Sequence, residues 1–243
     1  MKIKIIGDRG FIGSALKKQL RKEKHKIVNL VEDADCVYFV ANSTKDIYNT
    51  FDILSSLLLC LDHIYHHNIH LIYLSSAKVN TLLETMSLND SYATMKYMCE
   101  QMIVSYAQQP GAMFAYTIVR LNNVYGKKQR NPNVIGDRIR ELKKKPMSIV
   151  ILNAFFRTSF LYIDDCVDAL IQLAKEKNRN RVITLGHTND YTIHHVVSKI
   201  VEIMKVNTIM LWSSGSGRGR ISDNQFFDWK PKVGLIEGIK KML

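Results

Sequence analysis

The feature that most constrains this chain lies at its start. Residues Lys2–Ile6 read as a strand. The next segment, Gly7-Asp8-Arg9-Gly10-Phe11-Ile12-Gly13, places glycine at every third position. A helix-periodic stretch follows, with Phe11, Ile12, Ala15, Leu16 and Leu20 at three-to-four spacing. A strand, a glycine turn and a helix in that order form the first half of a βαβ unit. The first glycine permits the tight turn, the second lets backbone approach a pyrophosphate, and the third lets helix and strand pack closely. A helix N-terminus offers unpaired N–H groups and a positive dipole end to an anion. Gly7, Gly10, Phe11, Ile12 and Gly13 are therefore expected to hold a nucleotide cofactor, the context being what gives the spacing its meaning.

Arg9 sharpens the expectation. A guanidinium in this turn reaches the 2′-phosphate of NADP, whereas an NAD site wants a carboxylate near the tip of the second strand. That strand ends Asn29-Leu30-Val31 ahead of Glu32-Asp33, with no acid at its tip. NADPH is the expected cofactor, with NAD the alternative.

The rest of the chain continues the alternation. Strand patterns are expected at residues 26–31, 36–41, 71–75 and 116–121, with helices at 47–66 and 91–108 between them. Past Tyr125-Gly126 the pattern loosens. A basic stretch holds one amphipathic helix at 134–144; then come strands at 149–152 and 159–163, a helix at 165–175, a strand at 182–185 and helices at 193–204 and 235–242. Residues 213–220 read as a loop by composition. The class is α/β, a Rossmann doubly wound parallel sheet with a smaller, interwoven C-terminal lobe. Residues 1–126 would be the cofactor domain. Residues 127–243 would be the substrate lobe, returning about 149–180 to the Rossmann core.

Composition excludes more than it assigns. No run of eighteen apolar residues is present, so no membrane span is expected. The opening residues are too short for a signal h-region and a cytoplasmic setting is expected. The four cysteines are scattered, with no Cys-x-x-Cys, so no metal site is expected and they read as buried small hydrophobes. The formal charge of +12 attracts anions. No zinc-finger spacing or RNA-recognition motif accompanies it, so diphosphates are expected before nucleic acid.

The second constellation is Tyr92-x-x-x-Lys96 on a helix, preceded by Leu74-Ser75-Ser76-Ala77 at the end of a strand. Residues four apart share a helix face. An ammonium beside a tyrosine favours the phenolate, and such a tyrosine donates a proton to a forming alkoxide. Ligands of open α/β sheets bind outside the carboxyl ends of the strands, where these serines stand.

Taken together, these motifs resemble the extended short-chain dehydrogenase/reductase family of nucleotide-sugar epimerases, dehydratases and reductases. The matching pieces are the three glycines, Tyr38-Phe39-Val40-Ala41, Tyr73-Leu74-Ser75-Ser76-Ala77, Tyr92-x-x-x-Lys96, Val119-Arg120-Leu121-x-Asn123-Val124-Tyr125-Gly126, Phe160-x-Tyr162-Ile163-Asp164-Asp165 and Asp228-Trp229-Lys230-Pro231. The resemblance implies a catalytic Ser76, Tyr92 and Lys96. Ser76 is preferred to Ser75 because it stands three residues before Val79. It also implies cofactor contacts from Ala41, Tyr92 and Lys96. A sugar-nucleotide pocket would be drawn from Ser75, Ser76, Asn123, Val134, Arg138, Arg157, Arg218 and Arg220. It further implies a homodimer through the tyrosine helix and its neighbour, to which the apolar run Leu57-Leu58-Leu59 is suited.

The family's branches differ beside the serine. Its 4,6-dehydratases resemble one another in an Asp-Glu pair there; here stand Ala77 and Lys78. The turn with Arg9 is similar to the GDP-fucose synthase branch, but the Cys and His of that branch fall on Lys78 and Asn133. The resemblance therefore implies an NADPH-dependent reductase of a nucleotide-linked 4-keto-6-deoxy sugar, with UDP or dTDP expected before GDP. An NAD-dependent 4-epimerase is the alternative, and a non-catalytic cofactor sensor or RNA-binding protein the second.

Overall fold

The computed structural model describes residues 1–41, 47–129, 133–218 and 229–243. These form two compact units, Met1–Leu121 with Val167–Ile183, and Asn122–Cys166 with Thr184–Leu243.

The first unit begins β1 (Lys2–Ile6), α1 (Phe11–Lys22), β2 (Lys26–Ile27), β3 (Cys36–Phe39) and α2 (Ile47–Ile64). It continues β4 (His70–Ser76), α3 (Lys78–Thr85), α4 (Ser91–Ala107) and β5 (Ala115–Leu121). The second unit begins with β6 (Asn123–Tyr125), α5 (Val134–Leu142), β7 (Ser148–Ile151) and β8 (Phe155–Tyr162). Helix α6 (Ile163–Lys175) and strand β9 (Arg181–Leu185) pass from one unit to the other. They are followed by β10 (Asp190–Thr192), α7 (Ile193–Met204), β11 (Ile209–Trp212), β12 (Ser216–Arg218) and α8 (Leu235–Met242).

The main sheet has the order β2-β1-β3-β4-β5-β9, and the pairs from β2 to β5 are parallel. Its central strands are buried on both faces, as their continuous apolar runs require. One face carries Val37, Phe39, Leu71 and Tyr73 against Ile53, Leu57, Leu61 and Ile64 of α2 and Met95, Cys99 and Ile103 of α4. On the other, Tyr38 is fully buried and its hydroxyl donates to the Leu170 carbonyl of α6 at 3.0 Å. Helices on both sides of a parallel sheet make the expected doubly wound class. All four cysteines are free and buried, and burial pushes the Cys36, Cys60 and Cys166 thiols up to about 12.

The usual doubly wound order is 3-2-1-4-5-6. Here, among the described residues, β2 is the edge strand, and the chain passes straight from β2 to β3. The strand expected over residues 26–31 is only Lys26–Ile27. The Val28 N–H still donates to the Ile3 carbonyl at 2.9 Å, and past it the backbone leaves the ladder: Val28 and Val31 pack against the core cluster, and the Lys4 ammonium takes the Asn29 carbonyl. The connection closes on Asp35, whose carboxylate accepts from the Lys2 N–H at 2.7 Å.

In the second unit β8 is the axis. It pairs antiparallel with β10 and parallel with β12 and β6, while β7 and β11 form a separate parallel pair. The loop expected at 213–220 contains β12, because β8 offers residues Phe155–Arg157 as a pairing edge that composition does not reveal. Among the described residues no helix is long and apolar enough to cross a membrane.

Candidate active site

Two clusters stand at the carboxyl end of the main sheet, both within the first unit. The first is the glycine turn. Gly7 has φ 94°, in the left-handed region that favours glycine, and a side chain there would lie 2.7 Å from the Ala41 nitrogen. A Cβ on Gly13 would overlap the Gly7 carbonyl oxygen and sit 3.0 Å from the Asp8 Cα. The end of β1, the start of α1 and the two residues after β3, Val40 and Ala41, are thus pressed together, as a backbone cradle for a diphosphate requires. Helix α1 has Gly10 at its N-cap, no side-chain cap bond and no acid in its first turn. That leaves its end electropositive. Asp8 is turned to Lys17 at 2.6 Å; this bond, with the charges of Lys17, Arg9 and Lys4, holds its carboxyl below the usual range against a smaller opposing effect of burial. Arg9 is exposed. The turn's geometry fits an NAD(P) diphosphate, which the Gly7–Gly13 backbone would hold, with Arg9 as the cation within the turn.

The second cluster is the junction of β4 with α3 and α4. Ser76 is the last residue of β4 and is half-buried, with its hydroxyl accepting from the Lys78 N–H at 3.3 Å. Tyr92 is the second residue of α4, half-buried, one helical turn before Lys96. Asp90 caps that helix by accepting from the Ala93 N–H at 3.1 Å, which fixes where the first turn begins. Lys96 is 1% exposed. Its ammonium donates to the Leu74 carbonyl at 2.8 Å and lies 4.9 Å from the centre of the Tyr73 ring. Burial lowers its pKa to about 8, against the opposing influence of Cys99 and Glu100.

Ser75, expected among the substrate contacts, is buried and donates its hydroxyl proton to Glu100. Glu100 is 1% exposed and also takes Arg120, through Nε at 3.0 Å and a terminal nitrogen at 2.5 Å. Arg120 donates in turn to the Asn80 side-chain oxygen at 2.7 Å. This network joins β4, α3, α4 and β5 directly behind Ser76 and Tyr92. The sequence reading missed it, and its signal was charge in apolar surroundings: Glu100 one turn past Lys96, and Arg120 within Thr117-Ile118-Val119-Arg120-Leu121.

The remaining expected substrate residues belong to the second unit. Asn123 is exposed at the start of β6, its amide donating to the Thr158 hydroxyl at 2.9 Å. Val134 opens α5 half-buried, and Arg138 on the same helix is paired with Glu141. Arg157 is paired with Asp190 through Nε at 3.1 Å and a terminal nitrogen at 3.0 Å, and donates to the Asp190 carbonyl at 3.2 Å. Arg218 ends β12, and Arg220 lies outside the described residues.

The sequence profile of the NAD dependent epimerase/dehydratase family matches residues 40–186, starting directly after β3. Human dTDP-D-glucose 4,6-dehydratase is 24% identical over 165 residues, covering 63% of this chain and 47% of that protein. A protein of Oryza sativa subsp. japonica described as probable GDP-L-fucose synthase 1 is 26% identical over 166 residues, 62% and 50% of the two chains. The chain spans about half the length of these curated relatives. Among solved structures, UDP-glucose 4-epimerase of Thermotoga maritima with UDP-glucose superposes at a TM-score of 0.82, with 18% identity and 100% and 97% of the two chains covered. RMD from Pseudomonas aeruginosa complexed with NADPH does so at 0.80, with 16% identity and 99% and 96% covered. The match over residues 40–186 shows that this chain belongs to the NAD dependent epimerase/dehydratase family.

Proposed function

We propose that the protein is an NADPH-dependent reductase of a nucleotide-diphosphate 4-keto-6-deoxy sugar, UDP- or dTDP-linked. The observation that carries the reading is the β4–α3 junction. Ser76 and Tyr92 occupy the same end of the sheet, but the two residues after Ser76 are Ala77 and Lys78. Elimination of water from a sugar needs an acid and a base of its own. Ala77 supplies neither, so proton transfer at a carbonyl oxygen is the chemistry left to this end. NADPH, when bound along the Gly7–Gly13 turn, supplies the hydride. Tyr92 donates its proton to the oxygen being reduced, Ser76 holds that oxygen by a hydrogen bond, and Lys96, one helical turn further on, is proposed to favour the phenolate of Tyr92 and to bind the cofactor ribose. Arg9, exposed in a turn with no acid at the tip of β2, supports NADPH over NADH.

Asn123, Val134, Arg138, Arg157, Arg218 and Arg220 are proposed for the sugar nucleotide. Arg138 and Arg157 would have to share or exchange their present carboxylate partners to reach a phosphate. A homodimer through α2 and α4 is supported by the exposed Phe51, Leu58 and Leu59 on α2 and Met98 on α4. We also place the protein in the cytoplasm.

The test is NADPH and NADH oxidation at 340 nm with UDP- and dTDP-4-keto-6-deoxyglucose. Oxidation of NADPH in preference to NADH supports the reductase. No oxidation, together with NAD retained through purification and interconversion of UDP-hexoses at C4, would replace it with the epimerase. Salt-sensitive RNA binding without any turnover would replace both.

A further inference from the structure

Lys78 does more than end the serine turn. Its N–H donates to the Ser76 hydroxyl, its ammonium pairs with Asp90 at 2.8 Å, and the same ammonium lies 5.9 Å from the centre of the Tyr92 ring. Asp90 uses its other oxygen to cap α4. One side chain thus links the loop carrying the serine to the helix turn carrying the tyrosine. Lys96, one helical turn past Tyr92 on α4, has its ammonium on the Leu74 carbonyl and against the Tyr73 ring. Lys78 is 62% exposed, so its ammonium keeps the hydration that Lys96 has lost.

Among the described residues, the charged and titratable groups near Tyr92 include Lys78 from α3, Tyr73 from β4, and Asp90 and Lys96 from the cap and first turns of α4. When Tyr92 gives up its proton, its O–H bond breaks, a new O–H bond forms on the sugar oxygen, and a phenolate remains until solvent reprotonates it. A cation over the ring stabilises that phenolate more than the phenol.

We propose that Lys78, tethered by Asp90, is a positioning residue that holds the first turn of α4 against the Ser76 loop and stabilises the Tyr92 phenolate. The proposal rests on the reading of Tyr92 as proton donor, but its test does not need turnover.

Alkaline titration of tyrosinate absorbance at 295 nm, with the Tyr92→Phe curve subtracted, isolates Tyr92. In Lys78→Gln, with its own Tyr92→Phe control, the Tyr92 midpoint should rise by about half to one unit. Lys78→Arg should return it to the wild-type value. An unchanged midpoint in Lys78→Gln, or no recovery in Lys78→Arg, would overturn the proposal even if the reductase reading stands. Thermal melts at neutral pH should stay close to wild type, since Lys78 is exposed. Where a keto sugar is turned over, Lys78→Gln should lower kcat several-fold with little change in KM for NADPH. A rise in KM alone would also overturn it.

Discussion

The two ends of the site are built in opposite ways on one sheet. The glycine turn is made of backbone, with Gly7 and Gly13 admitting no side chain and Arg9 in solvent. The β4–α4 end is made of side chains, with the buried Ser75, Asn80, Lys96 and Glu100 and the half-buried Arg120 packed behind Ser76 and Tyr92. A backbone cradle leaves one signature, a spacing of glycines, and its failures are steric. A buried polar network leaves scattered signatures and fails through unpaired charge. The sheet makes the same contrast: among the described residues it ends at β2 on the side of the glycine turn and runs on through β5 and β9 on the other.

The largest way to break this contrast is to open the network. Glu100→Ala leaves Ser75 without its acceptor and Arg120 without its carboxylate, with only Asn80 left to it, and should cost about 3–5 kcal/mol of stability. Arg9→Ala should stay within about 0.5 kcal/mol of wild type, because the side chain is exposed. Urea unfolding of the two variants checks both; equal losses would erase the contrast.

Acid should also fall on the β4 side. His70, at the start of β4, is fully buried with its Nε2 2.8 Å from the Thr117 hydroxyl, and burial chiefly, with Arg179 and Arg181, lowers its pKa from 6.5 to about 4. The folded state therefore holds His70 neutral where the unfolded chain would protonate it. Its contribution is complete above pH 6.5 and is lost as pH falls through 4, about 3 kcal/mol in all. Unfolding free energies at pH 7.5 and 4.5 should show a gap that shrinks in His70→Gln.

On the cofactor side the loss is steric. Gly13→Ala should cost about 1–3 kcal/mol and abolish thermal protection by NADPH, since the backbone of Gly7 and Asp8 has to move to admit the methyl. The smallest expected change is in discrimination. Arg9→Ala should weaken NADPH binding about tenfold, one charge-assisted contact, and leave NADH binding unchanged by calorimetry.

What the sequence discloses follows the same division. Helices α7 and α8 fall where periodicity puts them, residues 193–204 and 235–242, and Thr192 caps the first by accepting from the His195 N–H. The glycine turn and the alternation of β1 through β5 are legible because each is local. Helix α3 is only eight residues, with Val79 and Leu82 as its buried apolar positions, too short for periodicity to register. Strands β6, β10 and β12 have three residues each and exist because β8, distant in sequence, pairs with all three. The same holds for the site. Tyr92 and Lys96 are four apart and readable, whereas the ties from Ser75 to Glu100 and from Lys78 to Asp90 join different elements and are not. The early exit of the chain from β2 depends on Val28 and Val31 finding the core, a tertiary choice that overrides their strand propensity.

The most direct test compares the two ends in one assay: NADPH oxidation with a UDP- or dTDP-4-keto-6-deoxy sugar by wild type, Tyr92→Phe and Arg9→Ala. Tyr92→Phe should lose at least about 100-fold in kcat while binding NADPH as wild type does. Arg9→Ala should keep kcat and raise KM for NADPH. Turnover by Tyr92→Phe at the wild-type rate would contradict the account, because no other group at the β4–α4 end is assigned to deliver that proton.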